Sequence, residues 1–325
     1  MPSALDKTSK LIVIAGGHGF IGFHVARRLD YTNTGRIRIV DISEKATIGG
    51  TICHEAVQGA HIVLHFAANM GGMGTIHDEN NFAIYSQNSA MTVNIVDACI
   101  AAGVKKLFYA SSACVYHDAL QNSSSGEDVS LCENDIFSSG APVPRPQGLY
   151  GLEKLTSEFL IQQFDDFEIR IARFHNIYGP GDAWNNGREK APAALLRKAL
   201  ARRALYDSGE SVEHFELWGD GSQRRSFLYI DDAVEGIIKL LDSNHSAPIN
   251  IGSNYSILIR ELAGLALKTA SLEPDNTLSN FQNNKPVGVA SRNSNNTHVK
   301  SILNWAPTTS LEEGMKCTGQ WIETC

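Results

Sequence analysis

Three glycines at three-residue spacing constrain the fold of this chain more than any other feature. Gly16, Gly19 and Gly22 follow the apolar run KLIVIAGG, which predicts a buried parallel strand, and they lead into FIGFHVARRL, whose apolar residues recur at helical spacing. Glycine permits a tight turn and lets the backbone approach a ligand, while the start of a helix offers free N–H groups and a positive dipole end. A strand, a glycine turn and a helix in this order predict a binding site for the pyrophosphate of a dinucleotide.

The second predicted strand, RIRIVD, ends in an acidic residue. Asp41 is placed to accept a hydrogen bond from a ribose hydroxyl, which favours NAD over NADP as the cofactor. The predicted cofactor-binding set also includes Phe20 and Ile21 in the glycine turn, and Ala67 and Ala68 after the third predicted strand, HIVLHFAA. The alternative is a glycine-rich turn in an α/β protein of another purpose.

Composition and charge argue against several classes of function. The chain has 325 residues, of which 43% are hydrophobic and 19% charged, as in a globular enzyme. Its net charge of −7 argues against nucleic-acid binding, so local positive charge would have to hold an anionic ligand. No apolar run long enough for a membrane span and no apolar signal-peptide core are found in the sequence. The six cysteines lack a disulfide-like spacing, which predicts reduced thiols and a cytoplasmic location.

Strands that alternate with helices predict an α/β fold with a Rossmann-type, doubly wound parallel sheet. We assign residues 1–174 to an NAD-binding domain, whose sheet is completed by 226–252, and residues 175–325 mainly to a smaller C-terminal lobe for the substrate. Residues 42–60 are too few for the strand and two crossovers that a complete dinucleotide fold needs there, since each crossover takes at least about ten residues. We therefore expect a strand or helix to be missing near 42–60, and NAD to bind weakly.

The predicted helix YGLEKL carries a tyrosine and a lysine one helical turn apart. Tyr150 and Lys154 share a helix face, where the lysine ammonium would lower the pKa of the phenol and let it act as a base on a substrate hydroxyl. Ser112, at the end of the predicted strand KKLFYASS, would hydrogen-bond the same oxygen. The pattern Tyr-x-x-x-Lys alone is common on helices. It indicates a catalytic pair here because the glycine turn precedes it in the chain.

Taken together, these motifs make the chain resemble the extended short-chain dehydrogenases that act on nucleotide sugars, and within them the GDP-mannose 3,5-epimerase family. The resemblance covers the chain from about residue 11 to its end. The matching segments are NMGGMG (69–74), ASSACVY (110–116), YGLEKL (150–155), RFHNIYGP (173–180), GREKAPAA (187–194), WGDGSQRRSF (218–227) and RNSNN (292–296). NMGGMG and GREKAPAA are much more specific than the motifs of the fold.

The resemblance implies a sugar that is oxidised at C4, exchanges protons at C5 and C3, and is reduced again, with NAD regenerated. It implies Tyr150 as the base at the C4 hydroxyl, with Lys154 beside it and both in contact with NAD. It places Cys114 and Lys190 at the positions of the acid and base that exchange protons on opposite ring faces. A cysteine suits this task because its ordinary pKa of about 8.5 lies near neutrality. The alternatives are a buried structural cysteine and a solvated lysine.

The resemblance also implies a GDP-sugar as substrate, a homodimer and no metal ligands. The implied substrate-binding residues are Gly71, Gly72, Asn176, Glu189, Lys190 and Arg225. Gly71 and Gly72 would let the backbone close over the sugar ring. Arg225 would contact the diphosphate, because the guanidinium fork fits phosphate oxygens.

Two further readings stay open. Ala290 stands where the family carries an arginine for the diphosphate, which favours an epimerase for another nucleotide sugar as the second reading. The short segment 42–60 favours a third, a catalytically impaired paralogue that only binds a nucleotide sugar. Against the third reading, every residue implied in proton transfer is present.

Overall fold

A computed structural model describes residues 10–41, 50–71, 81–122, 128–137, 143–210, 215–273, 280–282 and 284–325. The strands in these ranges are β1 (Leu11–Ala15), β2 (Arg36–Val40), β3 (Ile62–His65), β4 (Lys106–Ser112), β5 (Ser130–Leu131), β6 (Glu168–Phe174), β7 (Ile177–Tyr178), β8 (Glu216–Trp218), β9 (Arg224–Ser226), β10 (Leu228–Tyr229), β11 (Ile249–Ile251), β12 (Ser256–Leu258), β13 (Asn280–Gln282) and β14 (Ser291–Ser294). The helices are α1 (Phe20–Tyr31), α2 (Gly50–Val57), α3 (Asn81–Ala102), α4 (Asp118–Gln121), α5 (Gly148–Ile161), α6 (Ala191–Asp207), α7 (Ile230–Asp242), α8 (Ile259–Thr269), α9 (Thr297–Leu303) and α10 (Leu311–Glu323), with a 3-10 turn at Ala113–Val115.

Six parallel strands form the main sheet in the order β11-β6-β4-β3-β1-β2. The chain starts at β1, turns outward to β2, and then crosses back to add β3, β4, β6 and β11 on the other side. This doubly wound order confirms the predicted fold class. The central strands are continuous apolar runs because helices cover both of their faces.

Each face of the sheet carries its own hydrophobic core. On one face, Ile12 and Ile14 of β1 pack with residues of α1, α7 and α9. On the other face, Val13 of β1 and Val63 of β3 pack with residues of α2, α3 and α5. Alternate residues of one strand thus serve two cores, as in a sheet with helices on both sides.

The sheet ends at β2 within the residues that the structure describes. β2 pairs with β1 alone, and Arg36, Arg38 and Ile39 of this strand are exposed. The segment TICHEAV forms helix α2, after which a short turn leads into β3. The expected missing element is therefore the third strand in the described part of the chain, while residues 42–49 lie outside it.

A second lobe is built mostly from residues after 175. Helices α6, α8 and α10 share a core that includes Leu196, Leu262 and Met315. A four-stranded sheet, β12-β9-β14-β5, and the pairs β13-β8 and β10-β7 complete the described part of this lobe. β11, α7 and α9 return to the main sheet and its core. Among the described helices, none is long and apolar enough to cross a membrane.

Candidate active site

The glycine turn lies at the carboxyl end of β1, where two glycines are required by close packing. Gly16 has a φ of +81°, and a Cβ added there would lie 2.5 Å from the backbone nitrogen of Ala67. At Gly22 an added Cβ would lie 2.3 Å from the carbonyl oxygen of Gly16. Gly19 is the N-cap of α1 and supplies no side-chain cap, so the first N–H groups of the helix can bind an anion.

These features fit the pyrophosphate of NAD. The first N–H groups of α1 belong to Phe20 and Ile21, and the partly buried Ala67 and Ala68 follow β3 beside the turn.

Asp41, predicted to bind a ribose hydroxyl, follows β2 directly. Its Oδ2 accepts a hydrogen bond from the backbone nitrogen of His18 at 3.0 Å, and the His18 imidazole contacts the same oxygen. The Asp41 side chain is 39% exposed. Its second carboxylate oxygen could accept from a ribose hydroxyl while the first holds the glycine turn.

The residues predicted for catalysis on β4 and α5 come together at the carboxyl edge of the sheet. Ser112 Oγ accepts a hydrogen bond from the Cys114 backbone nitrogen at 3.2 Å and is near enough to Tyr150 to lower its pKa, while the Tyr150 hydroxyl donates to Met70 Sδ at 3.9 Å. Cys114 and Tyr150 belong to one buried cluster and are 6% and 4% exposed. An added Cβ at Gly151 would lie 2.2 Å from the Cys114 carbonyl oxygen, so glycine allows α5 to approach the strand end this closely.

The electrostatics of Tyr150 and Lys154 differ from the expectation. Burial raises the pKa of Tyr150, and the hydrogen bond from Ser112 only partly offsets this effect. Lys154 Nζ lies 5.8 Å from the centre of the Tyr150 ring and donates instead to the Tyr109 hydroxyl at 3.2 Å. The predicted lowering of the Tyr150 pKa by Lys154 is therefore not seen, because the ammonium is directed toward Tyr109. Burial also lowers the pKa of Lys154, against the charges of Glu153 and Glu158.

Arg292 on β14 is a site residue that we did not assign from the sequence. One of its terminal nitrogens donates to Cys114 Sγ at 3.3 Å, the other donates to Gln147 Oε1, and Nε donates to Gln121 Oε1 at 2.6 Å. The guanidinium thereby fixes the sulfur in position. Arg292 begins the segment RNSNN, which is one of the segments that match the family. Nothing in the sequence indicated that this segment lies beside SSACVY.

Lys190 and Asn176, which are both implied for the sugar, donate hydrogen bonds to backbone carbonyl groups after β6. Lys190 is the N-cap of α6, and its Nζ donates to the carbonyl oxygen of Ile177 at 3.1 Å. Asn176 has a φ of +45°, and its Nδ2 donates to the carbonyl oxygen of Ser226 at 3.0 Å. Lys190 also counteracts the burial that raises the pKa of Asp182.

Glu189 and Gly71, which are also implied for the sugar, lie in loops. Glu189 accepts a hydrogen bond from the Gly187 backbone nitrogen at 3.0 Å, which shapes the loop before α6. Gly71 is buried at the end of a described segment. Gly72 lies outside the described residues.

Arg225, predicted to bind the diphosphate, lies on β9 beside β14. Its guanidinium donates to the backbone carbonyls of Arg224 at 2.7 Å and Val287 at 3.1 Å, and to the Val289 carbonyl. Burial, followed by the charge of Arg292, lowers the pKa of Arg225. Two neighbouring guanidinium groups are suited to an anionic ligand with several oxygens.

The sequence pattern of the NAD dependent epimerase/dehydratase family matches residues 12–252. This chain belongs to the NAD-dependent epimerase/dehydratase family. NAD is therefore the cofactor, in agreement with the glycine turn and the free start of α1. The predictions of the family and of NAD are confirmed.

Two plant members of the family match nearly the whole chain. GDP-mannose 3,5-epimerase 1 of Oryza sativa subsp. japonica is 40% identical over 329 residues, which cover 96% of this chain and 81% of that protein. GDP-mannose 3,5-epimerase of Arabidopsis thaliana is 38% identical over 334 residues, which cover 96% and 82%.

Solved structures of more distant proteins share the fold. UDP-glucose 4-epimerase of Thermotoga maritima, solved with UDP-glucose, has a TM-score of 0.78 at 20% identity and covers 97% of this chain and 99% of its own. A GDP-6-OMe-4-keto-L-xylo-heptose reductase from C. jejuni has a TM-score of 0.80 at 19% identity and covers 97% and 98%. At these identities, the likeness shows the fold alone.

Proposed function

We propose that this chain is an NAD-dependent GDP-mannose 3,5-epimerase. The observation that carries the proposal is the buried thiol of Cys114 packed against Tyr150 at the mouth of the site. An enzyme that only oxidises and reduces C4 has no need of a thiol at this position. An enzyme that also exchanges carbon-bound protons needs an acid and a base beside the ring. The identity of 40% to the rice enzyme supports the choice of substrate.

In the proposed reaction, Tyr150 takes the proton of the C4 hydroxyl and returns it at the end, and Ser112 hydrogen-bonds the same oxygen. NAD, when bound, supplies the acceptor that takes the C4 hydride and later gives it back. Because burial raises the pKa of Tyr150, the tyrosine needs nearby positive charge to act as a base. Arg292 lowers its pKa in the structure, and Lys154 is the other cation beside it.

The 4-keto group of the oxidised sugar makes the C–H bonds at C3 and C5 acidic. Cys114 and Lys190 are the proposed acid and base, which remove a proton from one ring face and deliver another to the opposite face. Arg292 holds the Cys114 sulfur at 3.3 Å for this exchange. After each inversion the base holds one more proton and the acid one fewer, and exchange of protons with water restores both side chains before the next inversion.

The remaining implied residues are proposed to hold the GDP-sugar. Arg225, with Arg292 beside it, neutralises the diphosphate, and Asn176 and Glu189 line the sugar. Gly71 is proposed to leave room for the ring next to the backbone, and the resemblance implies the same role for Gly72.

We also propose a cytoplasmic homodimer that binds no nucleic acid. The net charge of −7 supports the absence of nucleic-acid binding. Exposed apolar side chains on α3 and on its packing partner α5 support the dimer, namely Phe82, Val93, Leu152 and Phe159. Sedimentation equilibrium tests the dimer, and a Phe159→Glu variant should weaken it.

The second candidate is an epimerase for another nucleotide sugar. Ala290 favours it, because it replaces an arginine that the resemblance implies for the diphosphate. The third candidate is an impaired sugar-nucleotide-binding paralogue. In its favour, no strand pairs with the outer edge of β2 among the described residues. An epimerase for either sugar would use the buried Cys114 in contact with Arg292, whereas an impaired paralogue has no need of it.

Proton NMR of GDP-mannose with the purified protein and NAD in D₂O tests the proposal. We expect loss of the H5 and H3 signals as deuterium enters at both carbons. Cys114→Ala should stop this exchange, whereas Cys132→Ala, at an exposed cysteine, should not. Unchanged signals with GDP-mannose but exchange with another nucleotide sugar would select the second candidate. No exchange with any of them, despite bound NAD, would favour the third.

A further inference from the structure

We propose that Glu153 is the counter-ion that keeps Lys154 protonated, and that it is thereby a positioning residue for the reaction. The inference rests on the proposed function in one respect, which is that Lys154 supplies positive charge to Tyr150. The pairing of Glu153 with Lys154 stands on the geometry of the site, and it is testable without a substrate.

Lys154 is an ammonium group almost without access to water. The residue is 3% exposed, and its Nζ donates a hydrogen bond to the Tyr109 hydroxyl at 3.2 Å. Nζ also lies 4.8 Å from the centre of the Tyr109 ring. These neutral contacts replace only part of the hydration that the charge loses, and burial accordingly lowers the pKa of Lys154. A buried ammonium stays charged only if a negative group faces it.

The carboxylate of Glu153 supplies a negative charge, and one of its oxygens lacks a hydrogen-bond donor in the described part of the chain. The residue is 0% exposed. Its Oε1 accepts hydrogen bonds from the Tyr109 hydroxyl at 3.2 Å and from Ser157 Oγ at 3.0 Å. Its Oε2 has no hydrogen-bond partner among the described residues and lies 3.8 Å from Lys154 Nζ. A fully buried carboxylate oxygen without a donor is costly, and the facing ammonium offsets that cost.

Glu158 is the other buried carboxylate on α5, and it is already neutralised. Arg173 donates to both of its oxygens, with Nε 3.0 Å from Oε1 and a terminal nitrogen 2.7 Å from Oε2. Ser111 also donates to Glu158. Since the charge of Glu158 is matched by Arg173, Glu153 is left as the counter-ion for Lys154.

Other titratable groups near Lys154 do not replace Glu153. Burial raises the pKa of Tyr109 and of Tyr150, which keeps both phenols neutral near pH 7. Burial also lowers the pKa of His65 to about 3, so this imidazole on β3 is neutral as well. The Cys114 charge would raise the pKa of Lys154, but this effect ranks below those of Glu153 and Glu158.

The proposal predicts the direction in which two titrations move when the charge is removed. Without Glu153, Lys154 loses its proton at lower pH, so the alkaline limb of the pH–rate profile moves down. Glu153 also raises the pKa of Tyr150, so the acid limb moves down too. A charge at this distance shifts a buried group by about one pH unit or more.

Glu153→Gln keeps the shape of the side chain and removes its charge. We expect both limbs of the pH profile of epimerisation to move to lower pH, the alkaline limb by about one unit or more. Ser157→Ala is the matched control, because it removes a hydrogen bond to the same Oε1 and leaves the charge. It should leave both limbs in place. A Glu153→Gln profile with unshifted limbs would overturn the proposal, even if kcat fell.

A measurement on Lys154 itself separates this inference from the proposed function. Protein labelled with ¹⁵N-lysine is titrated by NMR with NAD bound, and the Lys154 Nζ signal is assigned by its loss in Lys154→Arg. We expect a charged Nζ at pH 7.5 in the wild-type protein and a lower pKa in Glu153→Gln. A neutral Nζ in the wild type would overturn the proposal even if the variant does not fold. Failure to process GDP-mannose would count against the proposed function only.

Discussion

The residues proposed for catalysis beside α5 are nearly inaccessible to water, whereas Asp41, which is proposed to bind the ribose beside β2, is partly exposed. Lys154 and Tyr150 are 3% and 4% exposed, and Lys154 belongs to a buried hydrogen-bond network with Tyr109 and Glu153. Asp41 is 39% exposed, and β2 next to it is an edge strand in the described residues. The catalytic end of the site is thus buried, and the adenosine end is open in the described part of the chain.

This difference separates two requirements of a dinucleotide enzyme. Catalysis depends on atoms held within fractions of an ångström, and buried networks provide that precision. Affinity for the cofactor adds up from many contacts and tolerates the loss of some. The chemistry can therefore be retained while NAD binds weakly, as the shortness of residues 42–60 predicts, with a dissociation constant above about 1 µM. The following predictions test this separation, from the largest expected effect to the smallest.

Tyr150→Phe tests the catalytic end. Removal of the phenolic hydroxyl should reduce turnover by about 10²–10⁴-fold, because general base catalysis contributes that much. NAD affinity should change little, because the ring and its packing remain. Steady-state kinetics and calorimetric titration with NAD measure the two quantities. A variant that loses NAD binding to the same extent as turnover would show that the two ends are not separable.

Gly16→Ala tests the pyrophosphate turn that joins the two ends. The new Cβ would lie 2.5 Å from the Ala67 nitrogen at a φ of +81°, so the turn has to move. We expect a loss of stability of about 1–3 kcal/mol from backbone strain, with weaker NAD binding in addition. Gly59→Ala is the matched control, because Gly59 has a φ of +74° but open space around it.

Denaturant unfolding and NAD titration distinguish the two glycine variants. Gly59→Ala should lose stability and keep its affinity for NAD. Equal affinities in the two variants would mean that the approach of Gly16 to Ala67 does not shape the pyrophosphate site.

Much of the fold was predictable because it depends on local patterns. Apolar runs identified the central strands, and the spacing of Gly16, Gly19 and Gly22 identified the turn. The length of 42–60 predicted a missing element, since a crossover has a minimum length. TICHEAV could not be assigned from its pattern, because a short apolar run is compatible with both a strand and a helix. Its packing against α3 is what the structure adds.

Site residues that belong to one sequence motif could be predicted, whereas contacts between distant segments of the chain could not. Arg292 and Cys114 are in contact but 178 residues apart in the chain. Glu153 has the sequence context of an ordinary exposed helix residue, and only its burial beside Lys154 and Tyr109 gives it a role. The contact of Lys154 with Tyr109, in place of the expected one with Tyr150, depends on which neighbour the sheet supplies.

Acid should weaken the buried end of the protein. Burial lowers the pKa of His65 and of His175 to about 3. In the unfolded chain each of these histidines binds a proton below the ordinary histidine pKa of about 6.5, whereas in the folded protein it stays neutral until about pH 3. The free energy of unfolding therefore falls as the pH drops from about 6.5 toward 3. At pH 5 each histidine costs about 2 kcal/mol relative to pH 7.5.

Unfolding free energies at several pH values test this prediction. Replacing His65 by Gln should reduce the fall in unfolding free energy between pH 7.5 and 5 by about 2 kcal/mol. Replacing the exposed His61 by Gln should leave the slope unchanged. A slope unaffected by His65→Gln would show that this imidazole is accessible to protons in the folded state.

Asp41→Ala should have the smallest effect, because it acts at the open end. Asp41 binds the backbone nitrogen of His18, and its other oxygen is proposed to accept from the ribose. Loss of a partly exposed, charged hydrogen bond should weaken NAD about tenfold, near the lower limit for charged partners. Turnover at saturating NAD should be unchanged, since Asp41 lies at the other end of the cofactor. Discrimination against NADP should fall, because the carboxylate no longer repels the extra phosphate. A large fall in turnover at saturating NAD would mean that the adenosine end also positions the nicotinamide end, and the separation would fail.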